Sequence, residues 1–528
     1  MFSEIDHSEA PPRVTFPRGY NAAVDLLDRN VHEGRGDKIA IVDDRGRYTY
    51  AEVTERSNRV GNALKALGVL PEQRVLLVML DTVDFVAVFL GAMKIGAVPV
   101  PVNTLLTADD YAYIAQDSRA PLVVVSDHLL PKVEAAIAKM DRTPPKVVTS
   151  STPLGGDRGT HPKLEDLLAK ASAELEVAKT TADDVAFWLY SSGSTGAPKG
   201  ALHLHAHLMR TAALYAQGVL GIREDDRVYS AAKLFFAYGL GNALTFPMSV
   251  GATAILTAER VTPAVVARIM KEHDPSIFGG VPTLFASLLN AGDAFAPSKS
   301  LRVSTSAGEA LPPHVGNAWT EKTTTHILDG IGSTEMLHIF LSNRHGDVRY
   351  GTSGKAVPGY ELKIVDDDGK PVADGEEGSL WVSGTTAAIS YWNQRERSMQ
   401  TFQGSWTKTG DRYVKDADGY YTYSGRADDM LKVGGIWVSP FEVESALAAH
   451  GAILEAAVVG HADEQGLVKP KAFVVLKDAS REGEALVTEL KAFVKEKLAP
   501  YKYPRWIEVV KELPKTATGK IQRFRLRG

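Results

Sequence analysis

Short apolar, β-branched runs recur across roughly the first 290 residues, each followed by a segment whose apolar positions fall at helical spacing. "KIAIVD", "RVLLVML", "PLVVVS", "VAFWLY" and "ATAILT" read as buried strands. Their alternation with amphipathic segments predicts α/β layers with largely parallel sheets. The most apolar stretch, "VLLVMLDTVDFVAVFLGAMKIGAVPVPVN", is broken by Asp81, Asp84 and Lys94. It therefore reads as strand, helix, strand rather than a membrane span. From about residue 345 the texture changes. "YELKIVDDDGKPVADGEEGSLWVSG" holds two strands around an Asp/Gly-rich turn, as antiparallel hairpins do. Further on, "GGIWVSPFEVESALAAH" places Ser439 as an N-cap with Pro440 at the first helical position. Two strands, the charged helix "VTELKAFVKEKL" and the strand "RWIEVV" complete the pattern. The expected architecture is α/β. A large N-terminal domain of layered sheets and helices (residues 1–427) would be followed by a small α+β C-terminal domain (residues 428–528).

Composition narrows the chemistry. A chain of 528 residues exceeds what one core organises. Its net charge of -5 lacks the basic surplus of a nucleic-acid binder. There is no cysteine, which excludes disulfides, thiolate metal sites and an enzyme-borne thiol nucleophile. In any thioester chemistry the sulfur must arrive with a substrate. The acidic, proline-bearing start "MFSEIDHSEAPPRVTFPRGY" is unlike a secretory signal. A soluble cytoplasmic protein with no membrane or nucleic-acid partner is expected.

The densest chemical signal is "WLYSSGSTGAPKGALHLH". Ser191, Ser192, Ser194 and Thr195 offer hydroxyls, and Gly193, Gly196 and Gly200 let backbone N–H groups wrap an anion. Lys199 adds a full charge, so the loop is a phosphate cradle by composition. It is not a Walker A loop, because Pro198 and Gly200 stand where that pattern needs Gly and Ser/Thr. Pro198 also turns Ala197 away from helical angles, so Lys199 is expected on an extended, mobile segment. His203, His205 and His207 alternate nearby. Strand periodicity would set them on one face, but no further ligands stand close and no metal site is expected there.

Read as a phrase, "YSSGSTGAPKG" resembles the phosphate loop of the adenylate-forming superfamily of acyl-CoA synthetases, peptide-synthetase adenylation domains and luciferases. "SAGEALP" (306–312), "DGIGSTEM" (329–336), "TKTGDRY" (407–413), "GRADDMLKVGGIWVSPFEVE" (425–444) and "LPKTATGKIQR" (513–523) are similar to its later core motifs, in its order. The resemblance implies ATP, Mg²⁺ and coenzyme A as reactants. The loop with Lys199 would hold the β- and γ-phosphates. Thr334 would meet a phosphate oxygen, and Glu335 would bind Mg²⁺ through the ATP phosphates. Gly308, Glu309, Asp329, Gly330, Ile331 and Gly332 would line the adenine, with Ser333 beside them. Many relatives carry an aromatic where Ile331 stands. Asp411 would take the ribose hydroxyls with Arg426 close by, and Asp428 would be the hinge of the small domain. Lys520 would be the catalytic lysine, stabilising the charge that gathers when a carboxylate meets the α-phosphate, an effect worth about 10²–10³ in rate. Arg523, Arg525 and Arg527 would belong to a solvated basic tail. Lys520 is also the expected target of a lysine acetyltransferase and deacetylase, since acetylation removes the needed charge.

The chain ends eight residues after Lys520 with no carrier domain, which makes coenzyme A the expected acceptor. Gly434 and Gly435 would line its pantetheine arm, with Trp437 near. "KLFFAYGLGNALTFPM" (233–248) and "GIGSTEMLHIF" (330–340) resemble the branch of the superfamily that activates benzoate. On that resemblance Ala237, Tyr238, Gly239, Ala307, Gly332, His338 and Ile339 form a flat, mostly apolar slot for an aromatic carboxylic acid, with His338 facing any ring substituent. 4-Hydroxybenzoate, 2-aminobenzoate or another aryl acid are alternative substrates. A nucleotide-binding regulator without turnover and a luciferase-like oxygenase are alternatives of another class. Neither monomer nor homodimer carries a sequence signal.

Overall fold

The computed structural model describes residues 2–191, 197–427, 429–433, 436–463, 468–498, 502–515 and 521–527. Ser192, Gly193, Ser194, Thr195, Gly196, Asp428, Gly434, Gly435, Lys520 and the side chain of Trp437 lie outside the described residues. Contacts group the chain into two units, Met1–Glu361 with Val382–Thr407, and Leu362–Trp381 with Lys408–Gly528. This division falls earlier than residue 427. One reason is that the strand Tyr421–Arg426 pairs back onto Trp406–Lys415, drawing residues on both sides of the turn into the second unit.

In the first unit, strands buried on both faces can be apolar at every position, and the five runs read as strands are strands. Val98–Pro101, Arg74–Val78, Leu122–Ser126 and Lys146–Ser150 form an all-parallel sheet in that order. A larger sheet sets Ile39–Asp43, Thr253–Ile255, Arg227–Ser230, Ile277–Gly280, Val303–Ser306 and Ile327–Gly332 side by side and parallel. The parallel pattern thus runs past residue 290, to Gly332. Antiparallel strands Gly46–Thr49 and Ile339–Ser342 flank it. Ligand sites in such sheets gather at the carboxyl ends of the strands. Here those ends lead into Ala231, Val281, Ala307 and Ser333.

Helix Val83–Lys94 is buried along its whole length. The charges that interrupt its sequence are matched rather than solvated. Asp84 receives Arg45 at 3.0 Å, Arg56 and the Ser150 hydroxyl, and Lys94 meets Asp28 at 2.7 Å. Among the described residues no helix is long and apolar enough to cross a membrane.

Val185–Ser191 and Lys199–Leu204 form an antiparallel pair with Ser191 opposite Lys199. Lys199 therefore opens a strand, in keeping with the bend that Pro198 imposes. The histidine triplet departs from the strand expectation. His203 is in the strand, but His205 opens the helix His205–Thr211 and His207 sits in its first turn, so the three do not share a strand face.

The second unit carries helix Pro440–Ala448, with Ser439 Oγ accepting from Glu442 N at 3.2 Å. Strands Ile453–Ala462 and Val468–Leu476 are antiparallel, and Trp506–Val509 adds parallel to the latter. Leu447, Val458, Val474, Leu490 and Val494 meet in its core. Arg523 is not part of a solvated tail. It holds the buried Glu444 through two bonds of 2.8 and 2.6 Å, and Glu444 also accepts from Val458 N at 2.7 Å. Arg527 pairs with Asp429.

Candidate active site

The connection from Ile327–Gly332 to Ile339–Ser342 carries Ser333, Thr334, Glu335 and His338. Gly332 pairs with Ile339 across a register shift. A Cβ on Gly332 would lie 2.5 Å from the His338 carbonyl oxygen, and one on Gly330 2.5 Å from that of Leu341, so only glycine fits at either position. Ile331, Gly332, Ser333, Thr334 and Glu335 are part-exposed, whereas Met336 to Ile339 are buried. The turn is pinned from within and without. Met336 N donates to Ser333 Oγ at 3.1 Å, Ala388 N to Glu335 O at 2.7 Å and Thr386 Oγ1 to Met336 O at 2.9 Å.

At the phosphate end, Lys199 Nζ lies 3.3 Å from Glu335 Oε1. Ser191 Oγ donates to the same oxygen at 3.4 Å. Burial alone would raise the Glu335 carboxyl, but the Lys199 ammonium and the Tyr391 hydroxyl outweigh it and hold it below the ordinary carboxylate range. Glu335 is thus an ionised, hard oxygen donor, the kind that suits Mg²⁺. His203 Nε2 donates to Thr334 O at 2.8 Å. Burial lowers that imidazole to about 4, so it is neutral and can brace the turn without adding charge.

On the nucleotide side, Asp329 lies within its strand opposite Ser306, which ends the neighbouring strand and is followed directly by Ala307. Gly308 has φ +94°, where glycine is favoured, and Glu309 is half-buried. Asp329 is 3% exposed, and its Oδ1 has no hydrogen-bond partner among the described residues. Burial raises its carboxyl to about 8. At neutral pH it keeps its proton and can both donate and accept.

At the acid end, Ala237–Leu240 is a single helical turn. A Cβ on Gly239 would lie 2.0 Å from Lys233 O, so the loop before the turn folds onto the glycine backbone. The Tyr238 carbonyl receives Asn242 Nδ2 at 3.0 Å and His338 Nε2 at 3.3 Å. His338 is packed among Tyr215, Phe246 and Tyr238, with ring centroids at 5.2, 4.5 and 5.6 Å. Burial pushes it down to about 3. It is a neutral imidazole whose proton faces a carbonyl, leaving Nδ1 as an acceptor without a partner among the described residues. Among the described residues the Tyr238 hydroxyl also has no hydrogen-bond partner. Ile339 is 1% and Ala307 6% exposed.

In the second unit Asp411 and Arg426 face each other in register. Arg426 Nη1 reaches Asp411 Oδ1 at 3.1 Å and Thr409 O at 3.2 Å. Gly410 has φ +75°, and a Cβ there would meet the guanidinium at 2.8 Å. Thr409 Oγ1 accepts from Asp411 N at 3.0 Å.

Sequence reasoning missed three residues. Tyr391 touches both Lys199 and Glu335, His203 was considered only as a metal ligand, and Asn242 fixes Tyr238. None shows a sequence signal. A buried tyrosine in "AISYWNQ" has the pattern of any core aromatic, and its partners are 192 and 56 residues away.

The chain is similar to known enzymes along nearly its whole length. The AMP-binding enzyme family matches residues 27–392, and the AMP-binding enzyme C-terminal domain matches residues 442–520. A benzoate–CoA ligase of Thauera aromatica is 57% identical over 530 residues, 99% of each chain. A 4-hydroxybenzoate–CoA/benzoate–CoA ligase of Rhodopseudomonas palustris is 49% identical, over 97% of this chain and 94% of that one. The crystal structure of a benzoate CoA ligase from Burkholderia xenovorans superposes with a TM-score of 0.89 at 52% identity, covering 96% of this chain and all of that one.

Proposed function

We propose, from the premise that the chain belongs to the AMP-binding enzyme family, that it is an AMP-forming ligase joining benzoate to coenzyme A through a benzoyl-adenylate. One observation carries this reading. A single connection, residues 333–338, serves both ends of the site, with Glu335 against Lys199 and His338 against Tyr238. An acid seated beside Tyr238 and phosphates seated at Lys199 are therefore held by one rigid piece of chain.

In the first half-reaction a benzoate oxygen attacks the α-phosphorus, and the bond to the β-phosphate oxygen breaks with its electron pair. Pyrophosphate leaves and benzoyl-AMP remains. Lys199 and the hydroxyls of the loop take the phosphate charge, and Asp329 and Asp411 take the base and ribose. Glu335 is the residue that would hold Mg²⁺, which when bound neutralises phosphate charge. Lys520 stabilises the charge gathering at the α-phosphate. In the second half-reaction the coenzyme A sulfur attacks the acyl carbonyl and AMP leaves. The chain has no cysteine, so that sulfur comes only from the co-substrate. Asp428 is the proposed hinge between residues 1–427 and 428–528. Rotation there withdraws Lys520 and presents Gly434, Gly435 and Trp437 to the pantetheine arm. The proposed location is the cytoplasm.

A second reading, preference for 4-hydroxybenzoate, is favoured by the unpartnered His338 Nδ1, which could accept from a ring hydroxyl. Pyrophosphate release with benzoate, 4-hydroxybenzoate, 2-aminobenzoate, cinnamate and a medium-chain fatty acid, each with and without coenzyme A, separates these. Coenzyme A-dependent turnover strongest on benzoate is expected. A maximum on a substituted ring moves the substrate, and silence on every acid rejects the activity.

A further inference from the structure

Tyr391 lies outside every motif that marks this site, yet its side chain joins the two charged groups of the phosphate end. It is 3% exposed, and its ring packs on Phe402 at 5.2 Å between centroids. Its backbone bridges to Ala201, two residues beyond Lys199, and its N–H donates to Ser398 Oγ at 2.9 Å. The segment it belongs to also holds the turn at Glu335, through Thr386 and Ala388. The hydroxyl is thus fixed relative to both partners before any ligand binds.

A phenol has one proton to give and lone pairs to receive with. Here the proton goes to Glu335 Oε1 at 2.7 Å, and Lys199 Nζ donates to the oxygen at 2.8 Å. Lys199 also lies over the ring, 4.3 Å from its centroid. Lys199 and Glu335 are 3.3 Å apart and oppositely charged. They already touch as an ion pair, and with no further partner each charge would be satisfied by the other alone. The hydroxyl gives each charge a neutral partner that can be exchanged at low cost. We propose that Tyr391 is a positioning residue for the metal–nucleotide, its hydroxyl holding the phosphate-binding ammonium and the metal-binding carboxylate at a spacing from which both turn to MgATP. This rests on the assignment of Lys199 and Glu335 to the phosphates and the metal.

Tyr391→Phe tests it, because the ring, its packing on Phe402 and the cation–π contact remain and only the hydroxyl goes. MgATP binding to the whole chain, measured calorimetrically without acid or coenzyme A, should weaken about tenfold, as for one lost hydrogen bond to a charged group. The KM for benzoate, the coenzyme A step from supplied benzoyl-AMP and the melting temperature should stay as in the wild type. In a Lys199→Met background the same change should have little further effect, since half of the arrangement is already gone. An unchanged Kd for MgATP overturns the proposal. So does an equal loss of nucleotide and benzoate affinity, which makes Tyr391 a core residue only, as does full additivity with Lys199→Met. A wild type that does not bind MgATP rejects the assignment of the site itself, so the two failures are distinguishable.

Discussion

Asp329 keeps its proton at neutral pH because burial penalises its charged form, and this has a consequence for stability. Its carboxyl titrates at about 8 in the folded chain and near the ordinary carboxylate value of 3.8 when unfolded. Between those values the folded state binds more protons than the unfolded one, so its contribution to stability is full below about pH 4 and is lost as pH rises towards 8. Asp329→Asn removes this dependence. Relative to the wild type the variant should gain stability steadily from pH 5 to pH 8, by at most about 1.4 kcal/mol per pH unit. Thermal unfolding of both proteins across that range checks it. A constant offset would mean that the carboxyl is ionised throughout. The same scale explains the histidines. The sequence sets three at alternating positions, but His203 braces Thr334 while His205 Nδ1 accepts from Ala22 N at 3.1 Å. Their roles come from partners that no local pattern encodes.

At the scale of elements, the end of the chain behaves differently from its composition. A run rich in Lys and Arg reads as a solvated tail, but Arg523 closes a bidentate pair with Glu444, which is 7% exposed. This pair fastens the segment that follows Lys520 in sequence to the helix Pro440–Ala448. Removing the guanidinium leaves a buried carboxylate unpaired, so Arg523→Ala should cost the second unit about 3 kcal/mol. Arg523→Lys should recover only part, because an ammonium cannot present two parallel donors. Chemical denaturation followed by a probe within the second unit distinguishes these. Identical midpoints for wild type and Arg523→Ala would return Arg523 to the solvated tail. The extended backbone at Lys199 was legible beforehand, since Pro198 forbids a direct run into helix, though its pairing with Val185–Ser191 was not. So was the cap at Ser439, because both signals lie within a few residues of the element they govern.

For the whole molecule, the two half-reactions should separate genetically. Lys520→Ala should lower benzoyl-AMP formation by about 10²–10³ yet keep most of the coenzyme A step from supplied benzoyl-AMP. Rapid-quench assays of each half give the ratio directly. Equal loss in both would remove the alternation of one small domain between two tasks.

The order and type of elements, the parallel sheets and the phosphate-cradle composition of the loop were set by residue type and near spacing, whereas Glu335, Asp411 and Lys520 became candidates only through the resemblance of their motifs to the adenylate-forming superfamily. Period, turn chemistry and short motifs are local, and local physics suffices to read them. Tertiary structure alone decided that the parallel sheet continues to Gly332, and that strands before residue 427 join the second unit. It also decided that Tyr391 stands between Lys199 and Glu335, and that His338 keeps a bare Nδ1 beside an unpartnered Tyr238 hydroxyl. Those facts depend on which distant side chains exclude water from one another. Burial, and with it charge state and hydrogen-bond supply, exists only once the chain has packed.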